Sequence, residues 1–272
     1  MKKTIIVLAW VSVVLLIIGC KKRPHPEEYA YGYDARSFTT DDNTRVCFSQ
    51  GNLQYEISAG IWRFAEHQYD YVGAANCNIG VQNYNGWIDL FGYGTGNNPT
   101  KYYGDFNHFY DWGNNEISNG DNKNWRTLKA EEWNYIFITR KTRSGIRYAM
   151  ASVNGINGVV LLPDRWLSSI YYLNNTNNEW ASYRSNTISL SNWTDILEAN
   201  GAVFLPAAGD RDSLDVYSNN DIGVYWSNND GCEWNGYYYT TSCLCFKNGH
   251  NYVQGKRPCS CGCSVRLVYD VE

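Results

Sequence analysis

Apolar positions crowd the first eighteen residues and then thin into short, strand-length runs. Ile5–Ile18 is apolar throughout except for Ser12. That is the length of a signal-peptide hydrophobic region and is short for a membrane span, which needs about 20 apolar residues. Lys2 and Lys3 precede it as a positive start. Lys21–Glu28 is polar and carries Pro24 and Pro26, so it reads as an extended, solvated tether covering residues 20–36. Beyond it, Val46–Tyr55 and Ile61–Ala65 read as strands. Residues 73–126 are rich in Gly, Asn, Tyr and Trp without helical period and read as a long ordered loop region. A helix opens at Thr127, which can cap it. Glu131 and Glu132 suit its positive end, and Trp133, Ile136 and Phe137 share its apolar face. Arg140, Lys141 and Arg143 ahead of Gly145 mark its stop. Arg147–Val153 and Gly158–Leu162 form a hairpin around Asn154-Gly155. A second short helix begins near Ser191, buries Trp193, Ile196 and Leu197, and stops at Gly201. Ala202–Pro206, Val224–Asn228, Tyr237–Phe246 and Ser264–Tyr269 are the later strands. The pattern predicts an α+β, β-rich fold with two short helices and long ordered loops. With no internal repeat and no linker after residue 36, residues 37–272 read as one domain.

Composition sharpens this reading. Charged residues make up 18% and aromatics 16% of the chain, with 23 Tyr and 11 Trp. Tyr- and Asn-rich surfaces suit binding sites, because Tyr gives contact area at low entropy cost. Removing residues 1–19 takes the basic count from 23 to 21 against 27 acidic residues, a formal net of −6. There is no basic stripe, which argues against a nucleic-acid partner. No phosphate loop, dinucleotide fingerprint or H-E-x-x-H occurs. His25, His67, His108 and His250 are the four histidines, and no Ser-His-Asp set can be assembled from them. The expectation is a protein with no catalytic residues, no metal and no cofactor.

The apolar run closes on Leu16-Ile17-Ile18-Gly19-Cys20, which resembles a bacterial lipobox. The resemblance implies cleavage of residues 1–19, diacylation of Cys20 and a membrane engaged through that lipid. The alternative is an ordinary signal peptide with a chance cysteine. Lys21 argues against inner-membrane retention, by analogy with the acidic retention signal of enterobacteria. The expected location is the cell envelope, at the outer membrane, on either face.

Further motifs follow in order. Val46-Cys47-Phe48-Ser49-Gln50-Gly51-Asn52-Leu53-Gln54-Tyr55 precedes Trp62-Arg63-Phe64-Ala65 and Gly86-Trp87-Ile88-Asp89-Leu90-Phe91-Gly92. Then come Trp125-Arg126-Thr127-Leu128 with Glu132-Trp133, Asn157-Gly158-Val159-Val160-Leu161-Leu162-Pro163-Asp164, and Gly201-Ala202-Val203-Phe204-Leu205-Pro206-Ala207-Ala208-Gly209. Tyr225-Trp226-Ser227 and Ser264-Val265-Arg266-Leu267-Val268 close the series. Over roughly residues 44–269 the chain is similar to the Fibrobacter succinogenes major paralogous domain family of Bacteroidetes lipoproteins. That family in turn resembles the C-type lectin-like and formylglycine-generating-enzyme fold, and it carries no single activity. The sugar-binding lectin patterns Glu-Pro-Asn and Trp-Asn-Asp are absent. Asn228-Asn229-Asp230-Gly231 and Asp210-Arg211-Asp212 read as turns rather than calcium ligands.

Six of the nine cysteines, Cys232, Cys243, Cys245, Cys259, Cys261 and Cys263, lie near the carboxyl end. Strand alternation in Cys243-Leu244-Cys245-Phe246 predicts Leu244 and Phe246 inward and both cysteines outward. The resemblance implies Tyr, Asn or Phe at such places, and C-type lectin-like proteins are the usual targets of diversity-generating retroelements, which mutate adenines near the carboxyl end. This makes residues 225–268 a candidate variable region. An AAC or AAT codon can become Asn, Tyr, Ser, Cys, Gly, Asp, His or Pro, but not Trp, Lys, Glu or Gln. Asn228, Asn229, Asp230, Gly231, Cys232, Tyr237, Tyr239, Cys243, Cys245, His250, Tyr252, Pro258, Cys259 and Cys261 fit that set. All of these except Gly231 and Pro258 form the candidate ligand-binding set. Glu233, Trp234, Lys247, Gln254 and Lys256 would then be template-invariant. The ligand is an unidentified protein or glycan.

Other readings of the cysteines stay open. Cys259, Cys261 and Cys263 could bridge to Cys232, Cys243 or Cys245 across neighbouring strands. C-x-C-x-C lacks the C-x₂-C pairs of most zinc sites. The copper-binding cysteine pair of the formylglycine-generating enzymes cannot be aligned here residue by residue. The leading expectation is a non-enzymatic binding module. A structural or fimbria-associated envelope subunit is the alternative, and an oxidase of the formylglycine-generating type stands behind it. Asp212-Ser213-Leu214 also fits a short O-glycosylation pattern, but such tripeptides match by chance often and a plain loop serine is the better reading.

Overall fold

The computed structural model describes residues 35–229 and 231–271. Cys20, the tether up to residue 34 and Asp230 lie outside them, as do the side chains of Asn251 and Tyr252. Residues Tyr33–Glu272 form one compact unit. It is β-rich, with short sheets, two brief segments that begin as α-helix, and separate 3-10 turns at Gly73–Asn78, Trp112–Asn114 and Tyr183–Ser185. Among the described residues no helix is long and apolar enough to cross a membrane.

The two ends of the unit meet in one sheet. Leu267–Val271 pairs antiparallel with Arg45–Phe48 on one side and Arg126–Thr127 on the other. Tyr148–Val153 and Ile156–Leu161 form the expected hairpin, in register from Tyr148↔Leu161 to Val153↔Ile156. Its turn residues Asn154 and Gly155 have φ of 50° and 82°. Those are the left-handed values that a two-residue turn between right-twisted strands requires. Val203–Pro206 extends this sheet at the Ile156–Leu161 edge.

The first helical segment starts later than its sequence suggests. Thr127 is a strand residue whose Oγ1 donates to Asp111 Oδ1 at 2.8 Å, so its hydroxyl is committed and does not cap. The helix runs Ala130–Asn134 and continues as a π-helical turn, Tyr135–Thr139. Glu132 takes the capping role from inside the first turn. It accepts from the Lys129 backbone N–H at 2.7 Å and from Nη1 and Nη2 of Arg126 at 2.8 and 2.7 Å. Trp133, Ile136 and Phe137 are buried as expected. The second segment begins at Leu190 behind Ser189, whose hydroxyl accepts from Asn192 N at 3.2 Å. It buries Trp193 and Leu197, leaves Ile196 half-buried, and ends at Gly201 with φ 88°.

The region 73–126, expected as loop, carries the short strands Trp87–Ile88 and Phe91–Gly92 and the 3-10 turns Gly73–Asn78 and Trp112–Asn114, and buried polar side chains tie its parts together. Asn76 Oδ1 accepts from the backbone of Asp89 and Leu90 at 2.8 and 2.9 Å, and its amide donates to Asp89 Oδ1 at 2.8 Å. Val72 N–H donates to Asp89 Oδ2 at 2.8 Å. Asp89 is wholly buried, and desolvation pushes its carboxyl up to about 6 against these donors. The folded state therefore holds this proton more tightly than the unfolded chain. The contribution of Asp89 to stability is fully present below its ordinary value of 3.8 and falls as pH rises to about 6. The loss is on the order of 3 kcal/mol. Urea midpoints compared between pH 4 and 7 should show this decline in the native protein and its removal in Asp89→Asn.

Three apolar clusters fill the interior. One gathers around Trp133, Tyr225 and Phe246, a second around Trp62, Trp112 and Trp226, and a third around Trp166, Trp193 and Phe204. The strand Tyr239–Lys247 pairs with Ile222–Trp226 on one side and with His250–Pro258 on the other. It separates the first cluster from the second. Leu244 and Phe246 enter the first, and Cys243 and Cys245 enter the second.

Candidate functional site

The twelve candidate residues do not form one surface. Alternation along Tyr239–Lys247 is as expected, but both faces are covered, so the outward orientation expected for the cysteines is corrected. Cys243, Cys245, Cys259 and Cys261 are all buried, as is Cys263. The second cluster closes over them: Trp226 lies opposite Cys243, and Gly255 on the neighbouring strand brings its backbone against Cys245. An ideal Cβ on Gly255 would stand 3.0 Å from Cys245 Cβ, so the glycine is what lets the strands fit. Burial raises the thiols of Cys243, Cys245 and Cys263, and pushes Cys261 up to about 11. They stay protonated, which makes them inert as nucleophiles. Among the described residues no group of three or more His, Cys, Asp or Glu is placed to hold a metal ion.

Cys232 and Cys259 form a disulfide with a Cα–Cα separation of 6.5 Å. This resolves one of the pairings the sequence left open. It fastens the base of a short hairpin in which Glu233–Trp234 pairs with the start of Tyr239–Lys247, in register Trp234↔Tyr239. Asn235 Oδ1 accepts from the backbone of Tyr237 and Tyr238, both at 3.0 Å, and Gly236 takes φ 100°. This side-chain-closed turn fixes the tip. Backbone bonds add to the fastening: Cys232 N–H donates to Phe106 O and Cys259 N–H to Tyr239 O, each at 2.9 Å.

The hairpin holds four aromatic side chains in solvent. Tyr237 is 86% exposed, Trp234 58%, Tyr238 52% and Tyr239 42%. Tyr239 stacks on Phe106 at 5.0 Å between centroids, and Phe106 meets Tyr103 at 5.4 Å. Beside this ridge lies a polar cleft of about 450 Å³, lined among others by Lys129, Glu131, Asn228, Asn229, Glu233 and Lys256. Asn229 is fixed there, its amide donating to Ser242 O and Thr241 Oγ1 at 3.0 and 3.1 Å. Asn228 N–H donates to Leu128 O at 2.8 Å. Lys256 and Glu233 pair at 3.0 Å across its rim.

Asn228, Asn229, Cys232, Tyr237 and Tyr239 are thus brought together. His250 is not among them. It sits at the far end of the nine-residue strands, roughly 27 Å of strand away. There its ring meets the exposed Trp180 edge-on at 4.4 Å. Tyr252 pairs with Cys245 through its backbone. Sequence reasoning missed the strand His250–Pro258 itself, although Asn248-Gly249, which joins it to Lys247, is a strong hairpin signal. It also missed Phe106 and Tyr103, for which Gly-rich loop sequence gave no periodic signal.

Comparison with protein-family models, curated proteins and solved structures found no match.

Proposed function

We propose that the protein is a non-enzymatic ligand-binding module of C-type lectin-like type, lipid-anchored in the cell envelope, that presents the Cys232–Tyr239 hairpin and its flanking cleft to a partner. The observation that carries this reading is the exposure of Trp234, Tyr237, Tyr238 and Tyr239 together on a hairpin fixed by a disulfide and an Asn-closed turn. Exposed aromatic area of this kind favours association, and a rigid mount lowers the entropy lost on binding. Within the codon set that adenine mutagenesis reaches, Asn228, Asn229, Tyr237 and Tyr239 stand on this surface. Trp234 lies outside that set and would serve as a constant anchor among changeable neighbours.

Sequencing the gene's 3′ end and its flanking DNA from several isolates tests the diversified form of this reading. The expected result is a nearby near-copy of the codons for about residues 225–268, with a reverse transcriptase beside it. Substitutions should concentrate at Asn228, Asn229, Tyr237 and Tyr239 and spare Cys243, Cys245 and Cys263. A single-copy region with invariant codons at the four exposed positions contradicts it.

A further inference from the structure

Next to the hairpin, but outside every residue singled out from the sequence, lies a larger groove of about 650 Å³ formed by residues 95–110. Its frame is built by close backbone approach. A Cβ on Gly92 would stand 2.2 Å from Tyr102 O, and one on Gly104 would stand 2.6 Å from Tyr93 O. Neither position admits a side chain, so the loop is pressed against the body in one arrangement. Thr95 and Tyr110 bridge in parallel, and Gly96 N–H donates to Tyr110 O at 3.0 Å. A groove held this way before a ligand arrives loses little order on binding.

Its lining is of a particular kind. Tyr103 and Tyr110 are 53% and 43% exposed and contribute flat ring faces. Asn97, Asn98 and Thr100 contribute uncharged amides and a hydroxyl. Lys101 and Asp105 are the only charged side chains in the lining, one of each sign. Asp105 is already engaged by Asn107 N–H and His108 Nδ1, each at 2.9 Å. No aliphatic side chain lines the groove.

Resting on the binding reading above, we propose that this groove binds a neutral glycan, with Tyr103 and Tyr110 stacking on sugar rings and Asn97, Asn98 and Lys101 meeting their hydroxyls. A pyranose ring has an apolar C–H face and a rim of hydroxyls, and this lining offers both complements at once. A peptide is a poorer fit. The groove has no aliphatic pocket to anchor one, and its Thr95–Tyr110 bridge already uses the backbone an added strand would need. An anionic glycan would gain from Lys101 but meet the Asp105 carboxylate.

The test is affinity electrophoresis of the full chain through gels holding mannan, xylan or dextran, with polygalacturonate as the anionic comparison. Retardation by at least one neutral polysaccharide is expected, and it should persist with a chelator present, since Asp105 is the groove's one carboxylate. Tyr103→Ala and Tyr110→Ala should each weaken it about tenfold. Tyr103→Phe should retain it, and unfolding temperatures should stay unchanged because both side chains are exposed. Trp180→Ala, an exposed aromatic beside His250 at the far end of the strands, should leave it intact. Absence of retardation on all three neutral gels, retardation by polygalacturonate alone, or survival of retardation in both alanine variants overturns the inference. None of those outcomes touches the broader reading, which stands or falls on the hairpin and on the isolates' sequences.

Discussion

Cys243→Tyr should lower the stability of the folded unit by about 3 kcal/mol or more, while Tyr237→Asn should change it by no more than about 0.5 kcal/mol. Both changes lie inside the set that adenine mutagenesis can produce, so the contrast separates what the codon permits from what the fold tolerates. Cys243 is 1% exposed, faces the second cluster and has Trp226 directly opposite it. A phenol ring has no space there unless Trp226 leaves its place, where its Nε1–H donates to Phe91 O at 2.6 Å and its ring meets Tyr93 edge-on. Tyr237 is 86% exposed and loses no packing when shortened. Thermal unfolding followed by circular dichroism should show a drop of roughly 10 °C for the first variant and no measurable shift for the second. Equal tolerance of the two would mean that the cysteine face is not core.

Cys232→Ser should cost about 3.5 kcal/mol, the chain-entropy value for a loop closed over a sequence separation of 27. The local effect should exceed the global one. The Cys232–Tyr239 hairpin has no buried apolar side chain between its two ends; the disulfide holds it to Cys259, and the Cys232 N–H bond and the Tyr239 stack hold it to Phe106. Amide hydrogen exchange should therefore quicken most at residues 232–239, and less in the strands around Leu244 and Phe246. Unaltered exchange at the hairpin would show that the Asn235-closed turn alone fixes it.

Much of the fold can be read from residues whose structural meaning is local. Asn154-Gly155 marks a hairpin because only a few residues tolerate two successive left-handed positions. Trp133, Ile136 and Phe137 mark a helical face through their spacing. What is not local is harder to read. Thr127 looks like a cap, and only Asp111, sixteen residues upstream and folded back against it, takes its hydroxyl away. Alternation correctly divides Cys243 and Cys245 from Leu244 and Phe246. It cannot say what covers each face, and here a second cluster built from residues 53–117 closes over the cysteines. His250–Pro258 carries no alternating apolar pattern, because it is bonded to one neighbouring strand and its outward side chains are Gln254 and Lys256.

The same distinction governs the site. Tyr237 and Tyr239 are legible as exposed aromatics because large rings in a turn-rich stretch have few places to bury. Phe106 and Tyr103 are not, since nothing in the Gly- and Asn-rich stretch around them announces a partner 130 residues on. Trp234 and Tyr239 pair across the hairpin, and ring contacts of 5.4, 5.0 and 5.2 Å join Tyr103, Phe106, Tyr239 and Trp234. The Cys232 N–H bond to Phe106 O ties the hairpin to that loop, while the disulfide fixes it to Cys259.

Residue-by-residue cysteine labelling with iodoacetamide, read by mass spectrometry in native, denatured and then reduced protein, tests the division between a buried cysteine face and a presented hairpin most directly. In the native state Cys77, the one exposed free cysteine among the described residues, should label. Denaturant without reductant should add Cys47, Cys243, Cys245, Cys261 and Cys263, and reduction should then add Cys232 and Cys259. Native-state labelling of Cys243, Cys245 or Cys263, or labelling of Cys232 before reduction, would contradict the account.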